Sequence, residues 1–292
     1  MLFTELKDWA MTSQSLHQAS MLLGPIHNAL FAPRQNYLHL PMFIEPTGLV
    51  SQELPLGGVI HINFKEGAVI YQRGVMQATE RFLLSQHTQI SLFEALLGAL
   101  KQDELATFFA DVESDTLVEG LMHKLHADST RTEFLHLQEV SHTDLLSLNL
   151  QTANEYATLL DGVLTATARF RARLGGHMTP IVVWPEHFDL STLWFDPTNS
   201  QMEDSKPHIN FGFSPYTTGQ YEMPYLYAYA YPYPEGFVAT ELPSPMIWHE
   251  QGWRGIVIRY ADMQGQSDPL QFIEASLATI YQVLSDVLDE QL

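Results

Sequence analysis

The sequence predicts an α+β protein of two related units, each a helix, an antiparallel β-meander and a second helix, packed as one globule. Three observations carry this. Short apolar-alternating runs broken by Pro and Gly recur in both halves, amphipathic helical periodicity brackets each of them, and the tetrapeptide "HINF" occurs twice, at His61–Phe64 and His208–Phe211.

Taken in order, the first helix opens near Thr12, with Leu16, Leu22, Leu23 and Ile26 at helical spacing, and Gly24-Pro25 should break it. Residues 38–74 read as a three- or four-stranded meander. Ser91 and Glu94 form a capping-box pair ahead of "LFEALLGALKQ". Residues 103–146 suggest one or two amphipathic helices around "SDTLVEGLMHKLH", where His123 and His126 read as solvated histidines. "LQTANEYATLLDGVLTATARFRARLGG" is a long helix closed by Gly175-Gly176. Its Arg169, Arg171 and Arg173 suit a helix C-terminus, where cations oppose the dipole and meet surplus acid. The last helix has Asp268 as N-cap, Pro269 in its first turn, and a core stripe of Leu270, Ile273, Leu277, Ile280, Tyr281, Leu284 and Leu288.

The repeat extends beyond "HINF". Pro41 and Pro46 open one copy and Pro180 and Pro185 the other, with "HINF" following the first proline by 20 and 28 residues. Duplication would divide the chain at 1–146, a scaffold half, and 147–292, a half with the chemistry. Where the second copy has His187 and Asp189, the first has Gly48 and Val50.

Composition narrows the partners. The 14 Lys and Arg against 34 Asp and Glu give a net charge of −20, which disfavours nucleic acid and anionic lipid. With no cysteine, disulfides, thiolate catalysis and Cys-based metal sites are excluded. No apolar run approaches the ~20 residues of a membrane span, and charges sit among the first residues, so a cytoplasmic protein is expected. No cofactor is required by the sequence, and it leaves the oligomeric state open.

The candidate site is a face. Read as a strand, "HFDLSTLWF" puts His187, Asp189 and Ser191 on one side, and "HINFGFSP" does the same for His208, Asn210, Gly212 and Ser214. In "PYLYAYAYPYP", Tyr225, Tyr227, Tyr229, Tyr231 and Tyr233 share a face opposite small residues suited to helix contact. Together with Trp184 these rows suggest a cleft for a small, sugar-like molecule, bound by a binding protein or an enzyme. The alternative is a non-catalytic protein–protein interaction or structural module using the tyrosine face, and a weaker one is a metal-assisted hydrolase using His187, Asp189 and His208. A Ser–His–Asp triad fails, because Ser191, His187 and Asp189 are too evenly spaced on one strand and there is no nucleophile elbow. "WHEQGWRG", Trp248–Gly255, contains an anchor in Trp253 and a turn at His249-Glu250. The polar loop Asp196–Pro207 is either a lid or an insertion.

Trp9, Thr12, Leu16-His17, Gly24, Asn36 and Gly48-Leu49, with "TPIVVWPEHFDLSTLWF", "NFGFSP", "PYLYAYAYPYP" and "GWRG", resemble an uncharacterised bacterial family, a domain of unknown function. The resemblance implies a shared fold and no reaction, and it marks His17 as a further candidate. The chain departs from the family at Pro25 and at "NYLH", Asn36–His39, where an aromatic-rich segment is usual.

Overall fold

The computed structural model describes residues 2–74, 78–130, 140–198, 202–233 and 241–289. It is α+β, with two antiparallel sheets. The chain forms two compact units. The first comprises Leu6–Ala157 and Val183–Phe188, the second Met1–Glu5, Thr158–Val182 and Asp189–Leu292. Among the described residues, no helix is long and apolar enough to cross a membrane.

In the first unit, α1 (Trp9–Met21) and α2 (Leu23–Leu30) meet at Leu22. Pro25 therefore lies in the first turn of α2, where a missing N–H costs little. Five strands follow in plain order, namely β1 (Phe43–Glu45), β2 (Gly48–Val50), β3 (Val59–Asn63), β4 (Ala68–Gln72) and β5 (Thr79–Leu83). The register places Leu49, Ile60, Ile62, Val69 and Tyr71 on one face, all fully buried, while His61 on the other face meets Glu45 at 2.9 Å.

Helix α3 (Gln89–Leu100) starts one turn earlier than the sequence suggests. Its capping box joins Thr88 to Ser91, with the Thr88 side chain accepting from Ser91 N and the Ser91 hydroxyl from Thr88 N. Glu94 serves a different helix instead. Its carboxylate accepts from Leu117 N and Val118 N at the start of α4 (Leu117–Ala127). Helix α5 (Leu150–Arg171) contributes its first turns to this unit. The polar stretch after α4 lies in part, at 131–139, outside the described residues.

The segment Val183–Phe188 overturns the reading of "HFDLSTLWF" as one strand. Pro185, Glu186 and His187 form a turn closed by Phe188 N to Trp184 O at 2.7 Å, and the strand begins only at Leu190. Paired bonds of 2.9 Å between Met42 and Val183 hold one end. Ser20 Oγ donates to Pro185 O and His17 Nε2 to Glu186 O, each at 2.9 Å. Phe188 then enters the core against His17, Phe64 and Tyr156, with centroids at 5.7, 6.1 and 5.9 Å. Its φ of +55° is left-handed, a conformation costing on the order of 1–3 kcal/mol for a bulky residue. Burying a phenylalanine returns about 1.5–3 kcal/mol, so the core contact is sufficient to hold it there.

The second unit takes the rest of α5, with β6 (His177–Met178), β7 (Val182–Val183, whose two residues fall either side of the division), β8 (Leu190–Phe195), β9 (His208–Ser214), β10 (Tyr225–Tyr231), β11 (Ile247–His249), β12 (Gly255–Arg259), α6 (Tyr260–Met263) and α7 (Pro269–Asp289). The sheet path is β11-β12-β10-β9-β8-β6. This differs in strand number and order from the first sheet, so the two sheets do not repeat one another as the duplication expected from the sequence would have them do.

One face of this sheet is apolar and helix-covered. Phe170 of α5 packs on Phe211 at 5.1 Å, and Tyr281 of α7 meets Trp194 at 5.0 Å. Ala228 and Ala230 on β10 leave room for α7, which buries Ile273, Leu277, Ile280 and Leu284. Asp268 caps α7 through Gln271 N at 3.0 Å. Of the arginine cluster, Arg173 pairs with the nearly buried Glu274 of α7.

Two histidines of the first unit tie stability to pH. Burial pushes both His17 and His27 down to about 4, against the carbonyl hydrogen bonds each makes. His27 is fully buried, with Nδ1 donating to Leu40 O at 2.6 Å. Its imidazole is neutral in the folded chain, whereas the unfolded one takes a proton near its ordinary value of 6.5. The stabilisation is therefore complete above pH 6.5 and fades as pH falls toward 4. His27 alone should cost about 2 kcal/mol between pH 7 and pH 5. Urea denaturation across that range should show the loss, and His27→Gln should flatten the slope; an unchanged slope would refute the assignment.

Candidate functional site

Strand register builds the polar face of the second unit row by row. Ser191, Gly212, Tyr227 and Val257 are lateral neighbours across β8, β9, β10 and β12. Leu193, Asn210 and Tyr229 form the next row, and His208 lies opposite Tyr231. Asp189 immediately precedes β8.

Gly212 decides what this face can be. A Cβ there would lie 2.2 Å from Tyr227 Cζ, so the phenol occupies the space a side chain would fill and extends across β9. Its hydroxyl donates to Asp189 Oδ2, and both residues are buried. Burial, reinforced by the Asp189 charge, raises the Tyr227 phenol well above its ordinary value, so it stays a donor.

The rest of the face is closed in the same manner. Asn210 Nδ2 donates to Tyr229 OH at 2.9 Å, and burial also raises the Tyr229 phenol. Tyr225 OH meets Thr217 Oγ1 at 2.6 Å. Trp253 lies over Tyr227 and Tyr229, with centroids at 5.9 and 6.1 Å, and uses the space above Gly255, where a Cβ would be 2.5 Å from its ring. His208 stacks on Tyr231 at 5.2 Å, its Nδ1 donates to Lys206 O at 2.8 Å, and burial lowers its basicity.

The rows expected from the sequence are thus adjacent, but Asp189, Asn210, Tyr227 and His208 are interior groups, Tyr229 is half-buried, and Tyr231 is 44% exposed. The other candidates, His17, Trp184 and His187, belong to the first unit. There His17 anchors the turn, Trp184 begins it half-buried, and His187 is exposed on it. Among the described residues no three His, Asp or Glu side chains are grouped to hold a metal ion, the set His187, Asp189 and His208 included. Residues 199–201 of the polar loop lie outside the described residues.

A concave part of this unit lies next to the tyrosine face. A groove of about 740 Å3 is lined by Gly219, Gln220, Tyr221, Trp248, His249, Glu250 and Gln251. One wall is the turn 217–221, closed by Thr217 N to Tyr221 O at 2.6 Å and Tyr221 N to Thr217 O at 2.8 Å, with Gly219 at φ +77°. The other wall is the end of β11 and the turn after it.

A hydrogen-bond chain joins the walls. The Gln251 carbonyl can only accept, so His249 Nε2 carries the hydrogen of that 2.9 Å bond. In the neutral ring Nδ1 then accepts from Tyr221 OH, also at 2.9 Å. Trp253 packs on His249 at 4.3 Å and Tyr221 on Tyr225 at 4.6 Å, which ties the groove to the buried rows. Burial raises the Tyr221 phenol as well, with Tyr225 adding to it. Sequence reasoning marked "WHEQGWRG" without finding its partner. The available signal was a second glycine turn bearing Gln and Tyr, "TGQY", Thr218–Tyr221.

The Tyr227–Asp189 contact makes a sharp expectation. Gly212→Ala should destabilise the protein by roughly 3 kcal/mol, since the new methyl and the phenol need the same space. Most of that cost should vanish in a Tyr227→Leu background. Tyr227→Phe should cost about 2 kcal/mol by removing the hydroxyl that donates to the buried Asp189 carboxylate. Chemical denaturation of the single and double variants measures both, and additive losses at 212 and 227 would show that the two residues do not compete.

No curated protein and no solved structure matches this chain. A family profile does match, over residues 4–289, nearly the whole length. The chain belongs to that family, a family of unknown function designated DUF5996.

Proposed function

We propose that the protein binds a small molecule in the groove of the second unit, with the buried tyrosine rows as its rigid support. The observation that carries this reading is the lining. The Tyr221, Trp248 and His249 rings, two carboxamides and a carboxylate border one concavity, and Tyr221 is fixed there through His249 and Gln251. Binding sites are concave, of about 300–1,000 Å3, and work best when their walls are preorganised.

Other readings have less support. A protein interface on the tyrosine face would need the row exposed, and of the four tyrosines on β10 only Tyr231 is. The net charge of −20 argues against a polyanionic partner, and we take the protein to act in the cytoplasm.

Soaking crystals in a library of small polar fragments tests the proposal. Fragments should collect between Tyr221 and Trp248. Occupancy elsewhere with this groove empty at saturating concentration would overturn it.

A further inference from the structure

We infer that the groove selects an uncharged, polyhydroxylated ligand, a saccharide or polyol; this rests on the binding reading above and specifies its chemistry. The lining leads to that class by elimination and by fit. Among the described residues no Lys or Arg lines the groove, and the chain carries a net charge of −20, so a phosphate or carboxylate would meet repulsion without a compensating cation there.

A purely apolar ligand is equally ill-matched. Gln220, Glu250 and Gln251 are exposed polar residues at the lining, and covering them with hydrocarbon would strand donors and acceptors. A quaternary ammonium would gain from the Glu250 carboxylate and from the Tyr221 and Trp248 rings, but it has no hydroxyl to offer Gln220 and Gln251 and would cover both carboxamides unpaired.

What remains is a ligand that presents hydroxyls and C–H faces together. Each carboxamide offers two donors and an acceptor, which suits neighbouring hydroxyls that both give and take a proton. The half-buried Tyr221 and Trp248 rings offer flat apolar area for the C–H face of a sugar ring. His249 is occupied at both ring nitrogens, so it positions Tyr221 and leaves recognition to its neighbours. Gln220 Nε2 reaches the Gln251 carbonyl at only 3.5 Å, the weak limit of a hydrogen bond, so a ligand hydroxyl can replace that contact at little cost.

Saturation-transfer NMR and titration calorimetry on the full chain test this with three probe sets, namely neutral mono- and disaccharides with linear polyols, tetramethylammonium, and sugar acids. At least one neutral saccharide should bind. Its affinity should fall tenfold or more in Trp248→Ala and severalfold in Gln220→Ala, an exposed position whose change leaves the fold intact, and stay unchanged in Tyr231→Phe. Binding by the ammonium or the acids without any neutral compound would overturn the class while leaving the groove a binding site. Saccharide affinity indifferent to both Trp248→Ala and Gln220→Ala would overturn the location. If no probe binds and the fragment soaks also leave the groove empty, both this inference and the reading beneath it fail.

Discussion

A single missing side chain organises the second unit. Because position 212 has no Cβ, the Tyr227 ring can cross β9 and place its hydroxyl on Asp189. A carboxylate buried beside a sheet is expensive unless its oxygens are satisfied, and the phenol supplies a donor that raised basicity keeps protonated. Everything else on that face is arranged around the displaced ring. Tyr229 stacks parallel to it at 6.4 Å, Trp253 caps both, and Gly255 yields the space that Trp253 needs.

Rigidity travels outward from there. Trp253 presses on His249, His249 fixes Tyr221, and Tyr221 leans on Tyr225 of the same row. Tyr221 and His249 are therefore held from behind where they border the groove, while Gln220, Glu250 and Gln251 stand exposed. On the proposed binding reading, a Tyr221 ring already held in place would lower the ordering cost of binding, and the exposed amides would be left to meet the ligand.

The α+β class, an antiparallel sheet in each half and the terminal helix were legible because each rests on local periodicity and local caps, while a fifth strand at Thr79–Leu83 lay beyond the stretch that read as a meander. Asp268 caps its helix as its neighbours suggest. The Glu94 error is different in kind: its carboxylate serves a helix start 23 residues away, and nothing local announces that. The tyrosine, His208 and Asn210 rows were placed correctly side by side, since alternation fixes the face of a strand. What covers a face is a tertiary fact, and Trp253 and the 217–221 turn cover this one. The alternation rule itself failed at "WPEHFDL", where Pro185 makes a turn and Phe188 leaves the extended region, so His187 and Asp189 part company. The groove escaped notice because its walls, Gly219–Tyr221 and Trp248–Gln251, meet only in three dimensions.

The excursion of Val183–Phe188 also has a temporal meaning. The first unit's core includes Phe188, yet residues 158–182 of the other unit intervene in the chain before it. On a ribosome, the α1 and α3 side of that core emerges long before its last aromatic ring, and His17 waits 169 residues for the carbonyl it will hold. The first unit therefore lacks the Phe188 ring and the carbonyls that His17 and Ser20 hold until that segment has been made. Its last piece, Val183–Phe188, is made after residues 158–182 of the other unit.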